Sequence, residues 1–311
     1  MTKTSGIHHI TAIVGHPQEN VDFYAGILGL RLVKQTVNFD DPSTYHLYFG
    51  DRSGKPGTIV TFFPWTRAPQ GKIGTGQVGI TSYVVPKGSL SFWKRRLGKF
   101  DIPYVTTKRF GDTYLQFNDP HGLQLEIVER EEGEINSWTF GDVTPEVGIK
   151  GFNGAVLFSR YPDKTAALLE KVMGLKFIEE DGEFIRLRSS ANIGNIIDLK
   201  TTSIKKGQMG VGTVHHIAWR AIDEHDQLQW RKKLVAKGYH VTPVLDRNYF
   251  KSIYFQEHGG ILFEMATDTP GFSHDESKET MGQQLKLPSQ FEQYRERLKR
   301  YLPPFQVRDL D

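Results

Sequence analysis

The chain has 311 residues, enough for two domains of ordinary size, and 38% hydrophobic and 24% charged residues suit a folded globule. Its 39 basic and 36 acidic residues nearly cancel, to +3, and no Lys/Arg block stands out, so neither nucleic acid nor a membrane surface is an expected partner. The absence of cysteine excludes disulfides, thiolate metal ligands and a cysteine nucleophile.

The chain opens Met1-Thr2-Lys3-Thr4-Ser5 and enters a strand-like segment without an apolar targeting region. No run of about 18 apolar residues follows anywhere, so a cytoplasmic protein is expected. The first strand carries His8-His9 and then the apolar stretch Ile10 to Val14. Val21 to Leu28 is helix-like, with Phe23, Tyr24, Ile27 and Leu28 on one face. Asp40-Asp41 reads as a loop before the strand at Tyr45, and Asp51-Arg52-Ser53-Gly54 as a tight turn. Gly71 to Gly76 superficially resembles a phosphate loop. It lacks the Gly-Lys-Ser/Thr ending and a following helix, so it reads as a linker.

From there the pattern repeats. Val172-Met173-Gly174-Leu175-Lys176-Phe177 echoes Ile27-Leu28-Gly29-Leu30-Arg31-Leu32, and Trp230 to Leu234 echoes Trp93 to Leu97. Phe255, Gly260 and Glu264 keep the spacing of Phe117, Gly122 and Glu126, around turns at 119–122 and 258–260. Four units of order β-α-β-β-β follow, near 7–64, 76–129, 150–200 and 212–267. One unit cannot cover its own sheet, so an α+β fold is expected in which units pair into two curved mixed sheets, helices outside and a cleft inside. By sequence the chain divides into modules one and two (1–129), an acidic linker (130–149), modules three and four (150–267) and an extension (268–311). In the extension, Phe291, Tyr294, Leu298 and Tyr301 lie at the spacing of a packing helix.

His8-His9 and His215-His216 are the only adjacent histidine pairs, and both fall in the first strand of a module. Side chains alternate along a strand. His8 shares a face with Ile10, Ala12 and Val14, and His215 with Ile217 and Trp219; these are the apolar faces a helix would cover. His9 and His216 are left facing the cleft, with Thr11 beside His9. Glu264 sits in the apolar strand Ile261-Leu262-Phe263-Glu264-Met265, where an unpaired carboxylate is costly to bury. Two imidazoles and one carboxylate form a facial triad that leaves metal positions open. Modules two and three keep acids at the matching position, Glu126 and Asp198, but their first strands lack histidine. One metal site is therefore expected, shared by modules one and four, which must pair in space. A hairpin at 258–260 would set Tyr254 opposite Glu264 and aim it into the same cleft. His46, with no carboxylate partner visible, and the turn residues His121 and His258 carry no expected role.

At these residues the sequence resembles the vicinal oxygen chelate superfamily and, more closely, its ring-cleaving dioxygenases of the hydroquinone type. The likeness covers nearly the whole chain. Its motifs are Ile7 to Thr11, Tyr45-His46-Leu47-Tyr48-Phe49, Pro56-Gly57-Thr58, Val85 to Leu90, His215-His216, Gly260 to Glu264 and Gly271 to Glu276. The resemblance implies Fe(II) on His9, His216 and Glu264, with an aromatic diol and dioxygen as partners, a link to quinone resistance, and room for a homo-oligomer. It implies catalytic roles for Tyr254, Arg247 and His215, and places His8 and Thr11 near the substrate. Against strand alternation, it brings His8 and His215 towards the cleft. The alternative is a glyoxalase-like isomerase, which would recruit a second acid to the metal; Thr58-Ile59-Val60-Thr61-Phe62-Phe63 offers none. A non-catalytic binder of aromatic compounds would need no triad.

Overall fold

A computed structural model describes residues 3–311; Met1 and Thr2, which head the stretch searched for a targeting region, lie outside them. Module one contains β1 (Ile7–Val14), the helix α1 (Pro17–Val21, widening to a π-helix over Asp22–Ile27), β2 (Arg31–Val37), β3 (Tyr45–Gly50) and β4 (Ile59–Pro64). Module two repeats this as β5 (Gln77–Val85), α2 (Leu90–Lys99), β6 (Tyr104–Arg109), β7 (Asp112–Asn118) and β8 (Gln124–Glu129). Module three has β9 (Gly151–Phe158), α3 (Pro162–Ala167, again widening over Leu168–Val172), β10 (Lys176–Asp181), β11 (Phe184–Arg188) and β12 (Ile196–Lys200). Module four has β13 (Thr213–Ala221), α4 (Glu224–Ala236), β14 (Leu245–Asp246), β15 (Phe250–Gln256) and β16 (Leu262–Pro270).

The repeated Leu/Met-Gly-Leu signature has a local cause. Gly29 and Gly174 follow the widened helices of modules one and three with φ of 68° and 85°. Only glycine takes that left-handed conformation without steric cost, so it ends the helix and turns the chain into the next strand.

The strands form two eight-stranded mixed sheets, ordered β14-β15-β16-β13-β1-β4-β3-β2 and β10-β11-β12-β9-β5-β8-β7-β6. Modules one and four thus share one sheet, and modules two and three the other. Modules one and four meet at the antiparallel pair β1–β13, where Ile10 lies opposite Ile217 and is flanked by His9↔Ala218 and Thr11↔His216. Exchanging module one for module four leaves this pattern unchanged, so a local pseudo-two-fold axis passes through the Ile10–Ile217 pair. The linkers after modules one and three also pair, through bridges Gln70↔Val211 and Lys72↔Gln208.

On the outer face of the first sheet, Ile10, Ala12, Val14, Ile217 and Trp219 join Phe23, Tyr24, Leu28 and Trp230 in the main core. A smaller apolar cluster fills the inner face and includes Val33, Tyr48, Tyr249, Phe250, Phe272 and Met281. Phe272 and Met281 come from the extension, whose passage across the inner face sequence periodicity did not reveal. The segment is tied down by Lys34, which is fully buried and paired with Asp275 (2.6 Å) and Glu276. The expected packing helix is split into a 3-10 turn (Ser289–Tyr294) and α5 (Arg295–Tyr301). Its Leu298 is buried, but Tyr294 and Tyr301 are exposed. Among the described residues, no helix is long and apolar enough to cross a membrane.

Candidate metal centre

Strand alternation carries His9 from β1, and His216 from β13, to the inner face beside Glu264 of β16. All three are buried, and one nitrogen or oxygen from each lies within 4.8 Å of the others. The two Nε2 atoms are 3.3 Å apart, and they stand 3.3 Å (His9) and 2.8 Å (His216) from Glu264 Oε2. Despite this closeness, Oε2 has no hydrogen bond of acceptable geometry. Burial lowers the pKa of His216. Burial opposes the Glu264 carboxylate too, but the two histidines outweigh it and hold its pKa well below the usual range. A buried carboxylate with an orphaned oxygen, met by two imidazole nitrogens, is a donor set suited to a divalent cation. Among the described residues no other such group occurs.

Neighbouring side chains fix the three. Ser252 on β15 donates its hydroxyl to Glu264 Oε1. The Nδ1 atoms of His9 and His216 face those of His8 (2.9 Å) and His215 (2.8 Å). The last two contacts correct the alternation argument. The β1–β13 register slips between Ile7 and His9, and again between Thr11 and Ala12, where His215 is skipped. A bulge inserts a residue and re-aims its side chain. Instead of facing the helices, His8 lies against His9 and the Phe250 ring (5.2 Å), while His215 stands 5.7 Å from the ring of Phe63. Burial lowers the pKa of His8 far below its ordinary value and pushes that of His215 down to about 3.

A pocket with about 330 Å³ of unfilled space, mouth included, opens on His9 and His216. Tyr254 is in its wall, opposite Glu264 in the β15–β16 ladder, its ring 5.6 Å from that of His216. Burial, then the nearby Glu264 charge, raises the Tyr254 pKa, so its hydroxyl stays protonated. Arg247 lies over the Tyr254 ring at 5.6 Å and pairs with Asp40 at 2.9 Å across the pocket mouth. Thr11 donates to or accepts from the Thr61 hydroxyl at 2.7 Å.

Sequence reasoning missed His46 and Ser252. His46 lines the pocket, with Nδ1 2.7 Å from the Tyr48 hydroxyl and Nε2 2.8 Å from that of Thr61. The available signal was position, since each lies two residues before a tyrosine of its strand and so shares its face.

In the other sheet, the acids equivalent to Glu264 meet arginines. Arg109 binds Glu126 (2.5 Å) and Asp198 (2.6 Å), and Arg186 also holds Asp198 (2.7 Å). Buried guanidinium groups there balance charge that imidazoles alone would leave uncompensated.

The glyoxalase/bleomycin resistance protein/dioxygenase superfamily model matches residues 6–127 and 151–265. The chain is 67% identical over 309 residues to a Bacillus subtilis (strain 168) protein provisionally named ring-cleaving dioxygenase MhqO, covering 99% of both chains. A crystal structure of a provisionally named dioxygenase from Bacillus subtilis subsp. subtilis str. 168 superposes with a TM-score of 0.99 at 67% identity, covering 100% of each chain. Chlorohydroquinone/hydroquinone 1,2-dioxygenase of Sphingobium indicum is 34% identical over 310 residues, 96% of each chain.

Proposed function

From the premise that the chain belongs to the glyoxalase/bleomycin resistance protein/dioxygenase superfamily, we propose that it is an Fe(II)-dependent, extradiol-type dioxygenase that opens the ring of hydroquinone- or catechol-like diols. The observation that carries this reading is the convergence of His9, His216 and Glu264 on one buried point. The relatives named for hydroquinone and ring cleavage support the substrate class. Quinone detoxification in the cytoplasm is the matching role.

Iron bound at the triad would supply the path for electrons from the ring to dioxygen and favour an ionised substrate oxygen. The chain's own residues do the rest. His8 and His215 hold the ligand rings through Nδ1, fixing which nitrogen faces the metal. Tyr254 keeps its proton and donates a hydrogen bond to an oxygen of the bound diol. Arg247 brings positive charge to the pocket mouth, where an anionic ring or ring-opened product is stabilised. Phe63 and Phe250 give the pocket its apolar wall and displace water. An isomerase would need a second acid at the metal, and β4 supplies none.

Anaerobic reconstitution with Fe(II), followed by oxygen uptake on paired hydroquinone and catechol substrates, tests the reading. One iron per chain and diol-dependent uptake are expected. Iron-loaded protein that consumes no oxygen across such a panel would overturn ring cleavage. Failure to retain any divalent metal would overturn the triad.

A further inference from the structure

The connection between β2 and β3 walls one part of the pocket. Its residues Asn38, Phe39 and Asp40 line the space together with His216, Arg247 and Tyr254. This loop is closed on itself. The Asn38 amide donates to the Thr44 carbonyl at 2.8 Å, and the amides of Asp41 and Thr44 donate to the carbonyls of Asn38 (3.2 Å) and Asp41 (3.1 Å). Its side chains turn inward too. Asn38 Oδ1 accepts from the Asp40 amide at 2.9 Å, and the Asp41 carboxylate accepts from the Ser43 amide and the Thr44 hydroxyl. Among the described hydrogen bonds and ion pairs, one pair of side chains joins residues 38–44 to the rest of the chain. Arg247 donates Nη2 to Asp40 Oδ2 at 2.9 Å and Nη1 to Oδ1 at 3.3 Å.

Arg247 stands on the firmer side of that pair. Its turn holds Asn248 in the left-handed region at φ 64°, with the Asn248 amide on Asp246 Oδ1 at 2.7 Å, and the Arg247 amide donates to the Phe250 carbonyl at 2.9 Å. The pair itself can exchange. The Asp40 side chain is 73% exposed against 16% for Arg247, and an ion pair so open to solvent shifts an equilibrium by about fivefold at most. Lys34, fully buried against Asp275 and Glu276, has no such freedom. Space points the same way. The pocket's 330 Å³, mouth included, is at the low end for ligand sites, and an opened ring is longer than the ring it came from.

In ring cleavage the bond that breaks joins a hydroxyl-bearing carbon to its neighbour. Both atoms of dioxygen enter the product, and the ring supplies the electrons. One carbon ends as a carboxyl and the other as a carbonyl. A neutral diol thereby becomes a product that loses one proton to solvent and carries a negative charge at neutral pH. We propose that Asp40 is a built-in occupant of a carboxylate site on Arg247, and that the carboxylate formed by ring opening displaces it. Displaced, Asp40 releases loop 38–44, so the latch yields to product. A neutral diol enters when the weak pair opens by itself, and it has no charge with which to keep Asp40 from closing again. The inference rests on the ring-cleavage reading and extends it to product release.

The test uses full-length protein loaded with Zn(II), so that no turnover intervenes. The probe is sorbate, a straight-chain dienoate, with sorbic alcohol as its uncharged control. Calorimetry reads affinity, and the rate of chymotrypsin cleavage after Phe39 reads loop release. Asp40→Asn should bind sorbate about fivefold tighter than wild type and be cleaved faster before any ligand is added. In an Arg247→Gln background the same substitution should change sorbate affinity by less than about twofold. Sorbate should speed cleavage of wild-type protein, and sorbic alcohol should not. Equal tightening in both backgrounds, no tightening in either, or cleavage that sorbate leaves unchanged overturns the proposal. Oxygen uptake on hydroquinone by Fe(II)-loaded protein is read in parallel. Its absence overturns the ring-cleavage reading, and the opened ring as occupant with it, whatever sorbate does; uptake without sorbate exchange overturns the latch alone.

Discussion

Ser252 contributes nothing to a metal directly, yet its hydroxyl is the only side-chain group that donates to Glu264 Oε1 among the described hydrogen bonds. Without it, the carboxylate is free to rotate away from the two imidazoles, as partners of metal ligands generally prevent. Ser252→Ala should weaken metal affinity by about 10–100-fold while leaving the fold intact. Competition with a chromophoric chelator measures this, and an unchanged constant would remove Ser252 from the site. At this scale the sequence was partly legible. Alternation in β1 and β13 selected His9 and His216 because both strands need an apolar outer face. The same rule misdirected His8 and His215, since a bulge depends on cross-strand pairing that no single strand encodes. His46 looked idle because its partners are hydroxyl groups, which carry no signature of their own in a sequence.

At the scale of elements, the turn between β7 and β8 shows how a buried acid serves folding alone. Asp119 Oδ1 accepts from the amides of His121 and Leu123 at 2.9 Å each, and the Tyr24 hydroxyl reaches Oδ2 at 3.3 Å. Burial outweighs these bonds and raises its pKa to about 6. The folded form therefore holds a proton that the unfolded chain releases near pH 4. This stabilisation is complete below that pH and is lost as pH rises through about 6. Asp119→Asn cannot titrate, so the wild-type advantage over it in unfolding free energy should fall by about 3 kcal/mol between those limits. Urea titrations at stepped pH would measure the difference; a flat one would show that Asp119 titrates normally. The β-α-β-β-β order and the turns were legible, because glycine-marked turns and apolar runs are local signals. The arginines facing Glu126 and Asp198 were not, since Arg109 meets Asp198 from 89 residues away.

For the whole molecule, the pairing of modules one and four followed from requiring a shared site, and the sheet order agrees with it. The extension was opaque. Gly271 to Leu287 has no periodicity, yet it packs Phe272 and Met281 behind the pocket and ends the isolation of Lys34. Removing a buried charge's partner is costly, and here Asp275 and Glu276 both pair with Lys34. Lys34→Met should loosen the segment before the sheets, with proteolytic cleavage within 271–287 accelerated on the order of tenfold or more at unchanged secondary structure. Cleavage at the wild-type rate would mean that Phe272 and Met281 anchor the segment unaided.

The meeting of β1 with β13 also sets a timetable. His9 leaves the ribosome before Glu264, which is 255 positions behind it. Until module four is made, β1 lacks the neighbour that completes its ladder, and two of the three candidate ligands do not yet exist. A nascent or truncated chain ending before Glu264 therefore has no complete cage. If the triad holds iron as proposed, redox-active metal enters only once module four has been made, and each captured ion joins the first module to the fourth.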